Sequence, residues 1–475
     1  MSTDTPRPGD PRRAAAQPSA ADPGLYKARE KIHPREIKGR FQSLRKLAVL
    51  TLLGLFYLAP WLRWDDRQAV LFDLPGRQFH VLGLTFWPQD FFFLALFLIV
   101  CALMLFFFTA LAGRLWCGYA CPQTVWTEVF IWIEQWCEGD RNKRIKLDKA
   151  PWSREKLIRR SSKHVLWVLF AAWTGFTFVG FFTPVTELTA RLAAFQLGPW
   201  ESFWMAFYGF ATWGNAGFMR EQVCLYMCPY ARFQSAMFDP NTLTISYDER
   251  RGEPRGPRRR EADHQALGLG DCIDCYLCVQ VCPTGIDIRD GLQYECIACA
   301  ACIDACDSVM DKVGYPRGLI RYTTENALAG KRSRILRPRI LIYGLLLALI
   351  TGGAVAALAM RSPLDMDVLP DRNALYREAA GGVIENVYTL HTMNKSGEDA
   401  RFRLEVAGAP GLSIITTPET FTVASGASRR VAARVSAEPG AFARGGGHNI
   451  QLILVTIGKP EQRYSVETRF HTPVR

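Results

Sequence analysis

A chain of 475 residues is long enough for two or three folding units, and its mean hydropathy of zero hides long apolar runs beside strongly charged stretches, as in a membrane protein with water-facing loops. The formal charge of +12 fits a nucleic-acid surface or basic flanks at a membrane; its distribution favours the second, so no nucleic-acid partner is expected. Fourteen cysteines would suggest disulfides in a secreted chain, but eight fall at metal-cluster spacing in one soluble loop, which should face a reducing compartment.

Residues 1–46 are polar, basic and without a core-forming pattern, and read as a mostly disordered cytoplasmic tail. Five apolar runs follow at about 47–62, 91–112, 165–183, 203–219 and 340–360; a helix needs about 20 residues to cross the hydrocarbon core. The first and fourth are short, and Trp61, Trp64, Trp200 and Trp204 supply interfacial aromatics that would extend them. A buried core helix is the competing reading for the fourth. No secretory cleavage pattern follows the first run, which is taken as a retained anchor. Lys and Arg concentrate before the first run, between the second and third (Arg141, Lys143, Arg144, Lys146, Arg159, Arg160, Lys163) and before the fifth (Lys331, Arg332, Arg334, Arg337, Arg339), which places those segments in the cytoplasm. An odd number of spans then puts everything after Met360 outside. That last segment alternates apolar and polar residues at 383–392, 401–406, 419–423, 429–435, 451–457 and 464–470, and predicts an immunoglobulin-like sandwich.

The expected organisation is a multi-domain membrane protein: tail 1–46, a transmembrane four-helix unit at 47–235, a cytoplasmic ferredoxin-like α+β insert at 236–338 with its core at 270–310, a fifth transmembrane helix at 339–360, and a C-terminal all-β immunoglobulin-like domain at 361–475.

The insert carries Cys272-x-x-Cys275-x-x-Cys278-x-x-x-Cys282-Pro283 and then Cys296-x-x-Cys299-x-x-Cys302-x-x-x-Cys306. Three thiolates at two-residue gaps can hold three corners of a cubane, and the fourth leads to the other cluster. One cluster would take Cys272, Cys275, Cys278 and Cys306, the other Cys296, Cys299, Cys302 and Cys282. Zinc, which also binds paired C-x-x-C motifs, is the competing reading. The segment resembles bacterial two-cluster ferredoxins, with one departure: Asp307 stands where the second run would usually have proline.

Two further motifs match each other, Cys117-Gly118-Tyr119-Ala120-Cys121-Pro122 and Cys224-Leu225-Tyr226-Met227-Cys228-Pro229, each after an apolar run. At i and i+4 on a helix both thiols of a pair would share a face, so the two motifs could supply four soft ligands. Cu(I), zinc, another iron–sulfur site, a redox dithiol and simple buried thiols all remain open, with Met219 and Met227 as possible thioethers for copper. Cys101 and Cys137 have no partner at ligand spacing and read as structural.

Taken together, the five runs, the repeated thiol motif, the inserted ferredoxin and the C-terminal sandwich resemble the cytochrome c oxidase accessory proteins called CcoG, FixG or RdxA. The resemblance implies a multi-pass protein of the bacterial inner membrane that assists assembly of the C-family haem–copper oxidase. It also implies a cupric reductase, with Cys117, Cys121, Cys224 and Cys228 as the membrane-proximal thiols, and copper-delivery and oxidase assembly proteins as partners. The preferred mechanism runs from a cytoplasmic electron donor through two [4Fe–4S] clusters to copper at those thiols. The rivals are a quinol-linked conduit, as the same motif occurs in membrane ferredoxins of the quinol-dehydrogenase type, and a non-redox assembly scaffold. A quinol site would want a His, Tyr or carboxylate in the bundle; His164, at the edge of the third run, reads as solvated.

Overall fold

The computed structural model describes residues 31–65, 67–259, 266–396, 398–442, 444–458 and 461–473. Most of the expected tail lies outside the described residues, but its last part is packed. Lys31 and His33 both reach Asp148 at 2.9 Å, the Arg35 N–H donates to the Gln280 carbonyl, and helix α1 (Arg40–Leu58) begins seven residues before Leu47, the expected start of the first run. The Asp304 carboxylate accepts the N–H groups of Phe41 (3.2 Å) and Gln42 (2.7 Å), filling two of the orphan donors at the start of α1 and placing a negative charge at its positive end. Composition suggested disorder because these polar residues find their partners 115 to 263 residues away.

All five apolar runs are helical, and among the described residues three helices are long and apolar enough to cross a membrane: Arg40–Trp61, Pro88–Ala112 and Pro338–Ala359. After α1 come α2 (Phe91–Ala112), α3 (Leu115–Tyr119), α4 (Pro122–Glu138), α5 (Arg141–Lys149), α6 (Arg154–Val179), α7 (Val185–Ala193) and α8 (Pro199–Thr212). Helix α8 continues as a π-helical segment, Trp213–Met219. α6 carries the third run, but its first turns are charged, and α8 is short. The two nevertheless pack closely: a Cβ on Gly175 would lie 2.2 Å from the Met205 carbonyl oxygen. Several of the basic residues expected to be membrane flanks are buried in ion pairs, Arg144 with Glu134 at 3.4 Å and Lys163 with Glu138 at 2.7 Å.

The remaining helices are α9 (Pro229–Ala236), α10 (Glu249–Gly252), α11 (Leu277–Gln280), α12 (Ala301–Val313), α13 (Glu325–Leu328) and α14 (Pro338–Ala359). Short strands β1 (Arg63–Trp64), β2 (Arg67–Gln68), β3 (Val70–Asp73), β4 (Gln78–Val81) and β5 (Leu84–Phe86) fill the connection from α1 to α2. In the insert, β6 (Thr244–Tyr247) pairs antiparallel with β7 (Ile320–Thr323). Ile245, Ile288, Ile303, Met310 and Ile320 are buried around the cysteine loops.

The C-terminal region has strands β8 (Leu364–Pro370), β9 (Arg377–Glu378), β10 (Ile384–Asn394), β11 (Ala400–Ala407), β12 (Leu412–Thr416), β13 (Thr420–Val423), β14 (Ser428–Ala437), β15 (Gly446–Thr456) and β16 (Arg463–Thr472). They form two antiparallel sheets, β12-β14-β10-β8 with β9 beside β10, and β13-β11-β15-β16. Alternate residues such as Tyr388, Leu390, Phe402, Leu452 and Leu454 fill the space between them.

The insert and the sandwich occupy opposite ends of the long helices. At the insert end, Arg337 at the start of α14 donates to the Ala110 carbonyl near the end of α2 and pairs with Asp239 at 3.2 Å. At the other end, Asp90 before α2 meets Arg361 and Lys395, and Lys395 also reaches Asp365 at 2.7 Å.

Candidate functional site

The two cysteine runs of the insert fold alike. Asp274 and Tyr276 in the first, and Ala298 and Ala300 in the second, hold left-handed backbone with φ between 55° and 60° at the same places relative to their cysteines. For non-glycine residues this costs about 1 kcal/mol or more each, so each loop is held in a curl its residues would not choose. The helices α11 and α12 start directly after Tyr276 and Ala300.

Each curl closes on a cavity. One is lined by Cys272, Cys275 and Cys278 together with Cys306 from α12. The second is lined by Cys296, Cys299 and Cys302 together with Cys282 from the first run, with Cys278 on its wall. Among the described residues, no three His, Cys, Asp or Glu side chains are grouped to hold one metal ion. Zinc would need its sulfurs about 2.3 Å from a single centre, whereas a cubane keeps its thiolates spread around its corners. Burial pushes the thiols of Cys278, Cys296 and Cys306 up to about 12, so they lose their protons when a cationic centre takes up the charge. The donor set fits two [4Fe–4S] clusters.

Asp307 is accounted for by the helix. It lies within α12, where proline would remove a helical N–H and clash with the preceding turn. Its carboxylate instead accepts the Gly318 N–H at 2.9 Å. The first run leaves α11 at Gln280, so Pro283 meets no such conflict.

The repeated thiol motifs differ from expectation in local geometry. Cys117 lies in α3, but Cys121 is the extended N-cap residue of α4 (ψ 129°). Cys224 lies in a π-helical turn, Val223–Met227, and Cys228 is again extended (ψ 108°) before α9. The two thiols of a pair therefore do not share one helix face. Pro122 and Pro229 open the next helix at its first position and push the residue before them out of helical geometry.

These breaks still gather the pairs. Cys121 and Cys224 both act on Cys117 electrostatically, and Cys228 acts on Cys121 and Cys224. Burial raises Cys117 to about 12 and Cys224 to about 11. Hydrogen bonds tie one motif to the other: Cys117 Sγ donates to Gln234 Oε1 at 3.3 Å, Gln123 donates to the carbonyls of Asn215 (2.9 Å) and Arg220 (3.1 Å), and Arg114 donates to the Ala231 carbonyl. Met227 is mostly exposed, which disfavours it as a fifth ligand. Cys101 is exposed on α2, Cys137 is part-buried on α4, and neither lines the two cavities. His164 is not simply solvated: it stacks on Phe218 with ring centroids 5.8 Å apart.

The thiol quartet abuts the second cavity. A Cβ on Gly118 would lie 2.8 Å from the Ile297 carbonyl oxygen and 2.9 Å from that of Ala298. Cys117 packs into the same apolar cluster as Ile297 and Cys299, and Cys224 shares a cleft with Pro283, Thr284 and Ile297. The Tyr322 hydroxyl donates to the Ala298 carbonyl at 2.6 Å and hydrogen-bonds Tyr119 of the first motif. At the first cavity, Cys275 is exposed. Sequence reasoning missed Arg45 and Arg114, 5% and 4% exposed beside these thiols; an arginine near an apolar run carries only a topology signal.

Residues 219–325 match the family model of a 4Fe-4S dicluster domain, 94–144 that of a 4Fe-4S binding domain, and 354–473 that of an Ig-like fold at the C-terminus of FixG. Fold, cavities and matches together define an iron–sulfur electron-transfer protein with helices apolar enough for a membrane. Protein RdxB of Cereibacter sphaeroides is 43% identical over 420 residues, covering 86% of this chain and 88% of its own. RdxA of the same organism is 42% identical over 402 residues, covering 82% of this chain and 84% of its own. Nitrogen fixation protein FixG of Rhizobium meliloti is 39% identical over 444 residues, covering 86% of this chain and 84% of its own. The chain belongs to the FixG/RdxA family. A crystal structure of a FixG-related protein from Vibrio parahaemolyticus aligns with 24% of this chain and 100% of its own, at 29% identity and a TM-score of 0.22.

Proposed function

We propose that this chain is a membrane relay that carries electrons from a cytoplasmic one-electron donor through two [4Fe–4S] clusters to Cu(II), reducing it to Cu(I) at the repeated thiol pairs during assembly of a C-family haem–copper oxidase. Cys272, Cys275, Cys278 and Cys306 hold the first cluster, and Cys296, Cys299, Cys302 and Cys282 the second. Five helices span the inner membrane, with the insert in the cytoplasm and the sandwich outside.

The observation that carries this reading is the adjacency of the second four-cysteine cavity to the quartet Cys117, Cys121, Cys224 and Cys228, with the Gly118 backbone against the Ile297 and Ala298 carbonyls. The clusters supply one-electron transfer, and the chain's own part is to hold them, exclude water from the second and set the quartet beside it. Copper is the substrate, arriving as Cu(II) and taking one electron. Thiolates favour the softer Cu(I), so the quartet stabilises the product. The oxidase role and the copper-delivery partners come from the family resemblance.

The test is a double variant, Cys121→Ser with Cys228→Ser. Iron and sulfide content should match wild type, while Cu(II) reduction by the dithionite-reduced protein should be lost. Copper reduction at the wild-type rate would overturn the reading. Loss of quinol oxidation in that variant, with copper chemistry untouched, would establish the quinol-linked conduit instead.

A further inference from the structure

The charges around the two cavities are unequal. Arg114 is 4% exposed, donates one bond to the Ala231 carbonyl, and leaves its Nε without a partner. No carboxylate pairs with it among the described residues; the acidic groups it acts on include the thiols of Cys296, Cys117 and Cys224. Arg45 is buried in the cleft it shares with Pro283, Ile297 and Cys224. It has one carboxylate partner, Glu128 at 2.8 Å, and also faces Cys299 and Cys282. Arg220 and Glu221, one of each sign, line the same cleft; beyond them, the cluster thiols of the second cavity face Arg114 and Arg45 against Glu128.

The first cavity has the reverse balance. Arg289 on its wall is paired at 2.6 Å with both Asp274 and Asp287, and Asp307 acts on Cys306. Of the charged groups that act on this cavity's thiols, Arg289 is the cation and Asp287 and Asp307 are the carboxylates, with Arg255 farther out beside Asp287. This cavity also carries the exposed thiol, Cys275, beside the half-exposed Tyr276.

We propose that this asymmetry makes the cluster of Cys282, Cys296, Cys299 and Cys302 the higher-potential one, so that electrons enter at the Cys275 edge and run inward to the membrane-side thiols. The inference rests on the two-cluster reading above and adds the order of the two clusters and their relative potentials. Reduction adds a negative charge to an already anionic thiolate-bound centre, so nearby cations raise its potential and carboxylates lower it, most strongly where water is excluded. Burial alone would disfavour the reduced form of the inner cluster, and the two guanidiniums counter that. A buried cation without a carboxylate is costly unless an anion is supplied; the cluster with its thiolates is that anion for Arg114. One electron leaves a low-potential one-electron carrier and reduces the outer cluster. The outer cluster is reoxidised as the inner one is reduced, and the inner one is reoxidised by the acceptor at the quartet. No bond is made or broken.

Potentiometric titration of the purified full-length protein, followed by electron paramagnetic resonance with iron and sulfide assayed in parallel, tests this. Wild type should show two transitions. Arg114→Gln should lower the higher-potential transition alone, Arg114→Lys should leave it in place, and Asp287→Asn should raise the lower-potential transition alone. If both clusters are present and Arg114→Gln shifts the lower transition or neither, or if Asp287→Asn shifts the higher one, the proposal is wrong. Asp287→Asn decides by itself should Arg114→Gln fail to fold. Iron and sulfide for fewer than two clusters in wild type would instead sink the cluster reading on which the proposal stands.

Discussion

Gly118 is where the thiol motif touches the second cysteine loop, and the atoms opposite it are backbone carbonyls that cannot swing aside. A Cβ would sit 2.8 Å from the Ile297 oxygen, so Gly118→Val must push the motif away from the loop. The expected cost is about 1–3 kcal/mol, as for overpacking, read as a lower unfolding midpoint. Iron content should stay at wild type while reoxidation of the reduced clusters by Cu(II) slows. A second residue-scale prediction follows from the cavities: Cys282 lines the one formed by the other run. Cys282→Ser should remove the cluster of Cys296, Cys299 and Cys302 and leave roughly half the iron. Loss of only the cluster of its own run, seen by resonance spectroscopy, would refute the crossed arrangement. The eight cysteines of the two cavities and the four of the repeated motif were legible in the sequence; Arg114 and Arg45 were not, because what distinguishes them is which thiols and carboxylates surround them in space.

At the scale of elements, the first apolar helix is fastened to the insert by its own N-terminus. Asp304 of α12 accepts from Phe41 and Gln42, and Gly39 leaves room for it, since a Cβ there would overlap the Asp304 side chain at 2.2 Å. Asp304→Ala should cost about 1 kcal/mol for the lost cap and expose the 31–39 segment to limited proteolysis; an unchanged cleavage pattern and midpoint would mean the cap is dispensable. Helices α6 and α8 depend on a close crossing at Gly175. Their existence was legible from hydropathy, but the helical i, i+4 geometry expected for the thiol motifs was wrong, because proline after the second cysteine breaks each helix there.

For the whole molecule, Asp90 joins the N-terminal end of α2 to the sandwich through Arg361 and Lys395, all largely buried. Asp90→Ala leaves two cations short of a counter-charge and should cost about 3–5 kcal/mol, as when one partner of a buried pair is removed. It should be read as loss of the joint between sandwich and helices in thermal unfolding, with cluster spectra unchanged. Topology is checked separately: reporter fusions at Gly268 and at the C-terminus should report opposite compartments, as the Lys/Arg bias requires. Equal signals would mean that α14, which lies between the two fusion points, does not cross.

The sequence by itself determined the thiol inventory, the apolar stretches and the alternating strands of the C-terminal region, since spacing, hydropathy and period are properties of short windows of chain. Only the tertiary structure decided that Cys117, Cys121, Cys224 and Cys228 gather beside one cavity and not the other, and that the buried Arg114 faces thiols there with no carboxylate paired to it among the described residues. These depend on pairs such as Arg114 with Ala231 and Gln42 with Asp304, separated by 117 and 262 residues, and a contact made across that much chain leaves no mark in the residues on either side of it.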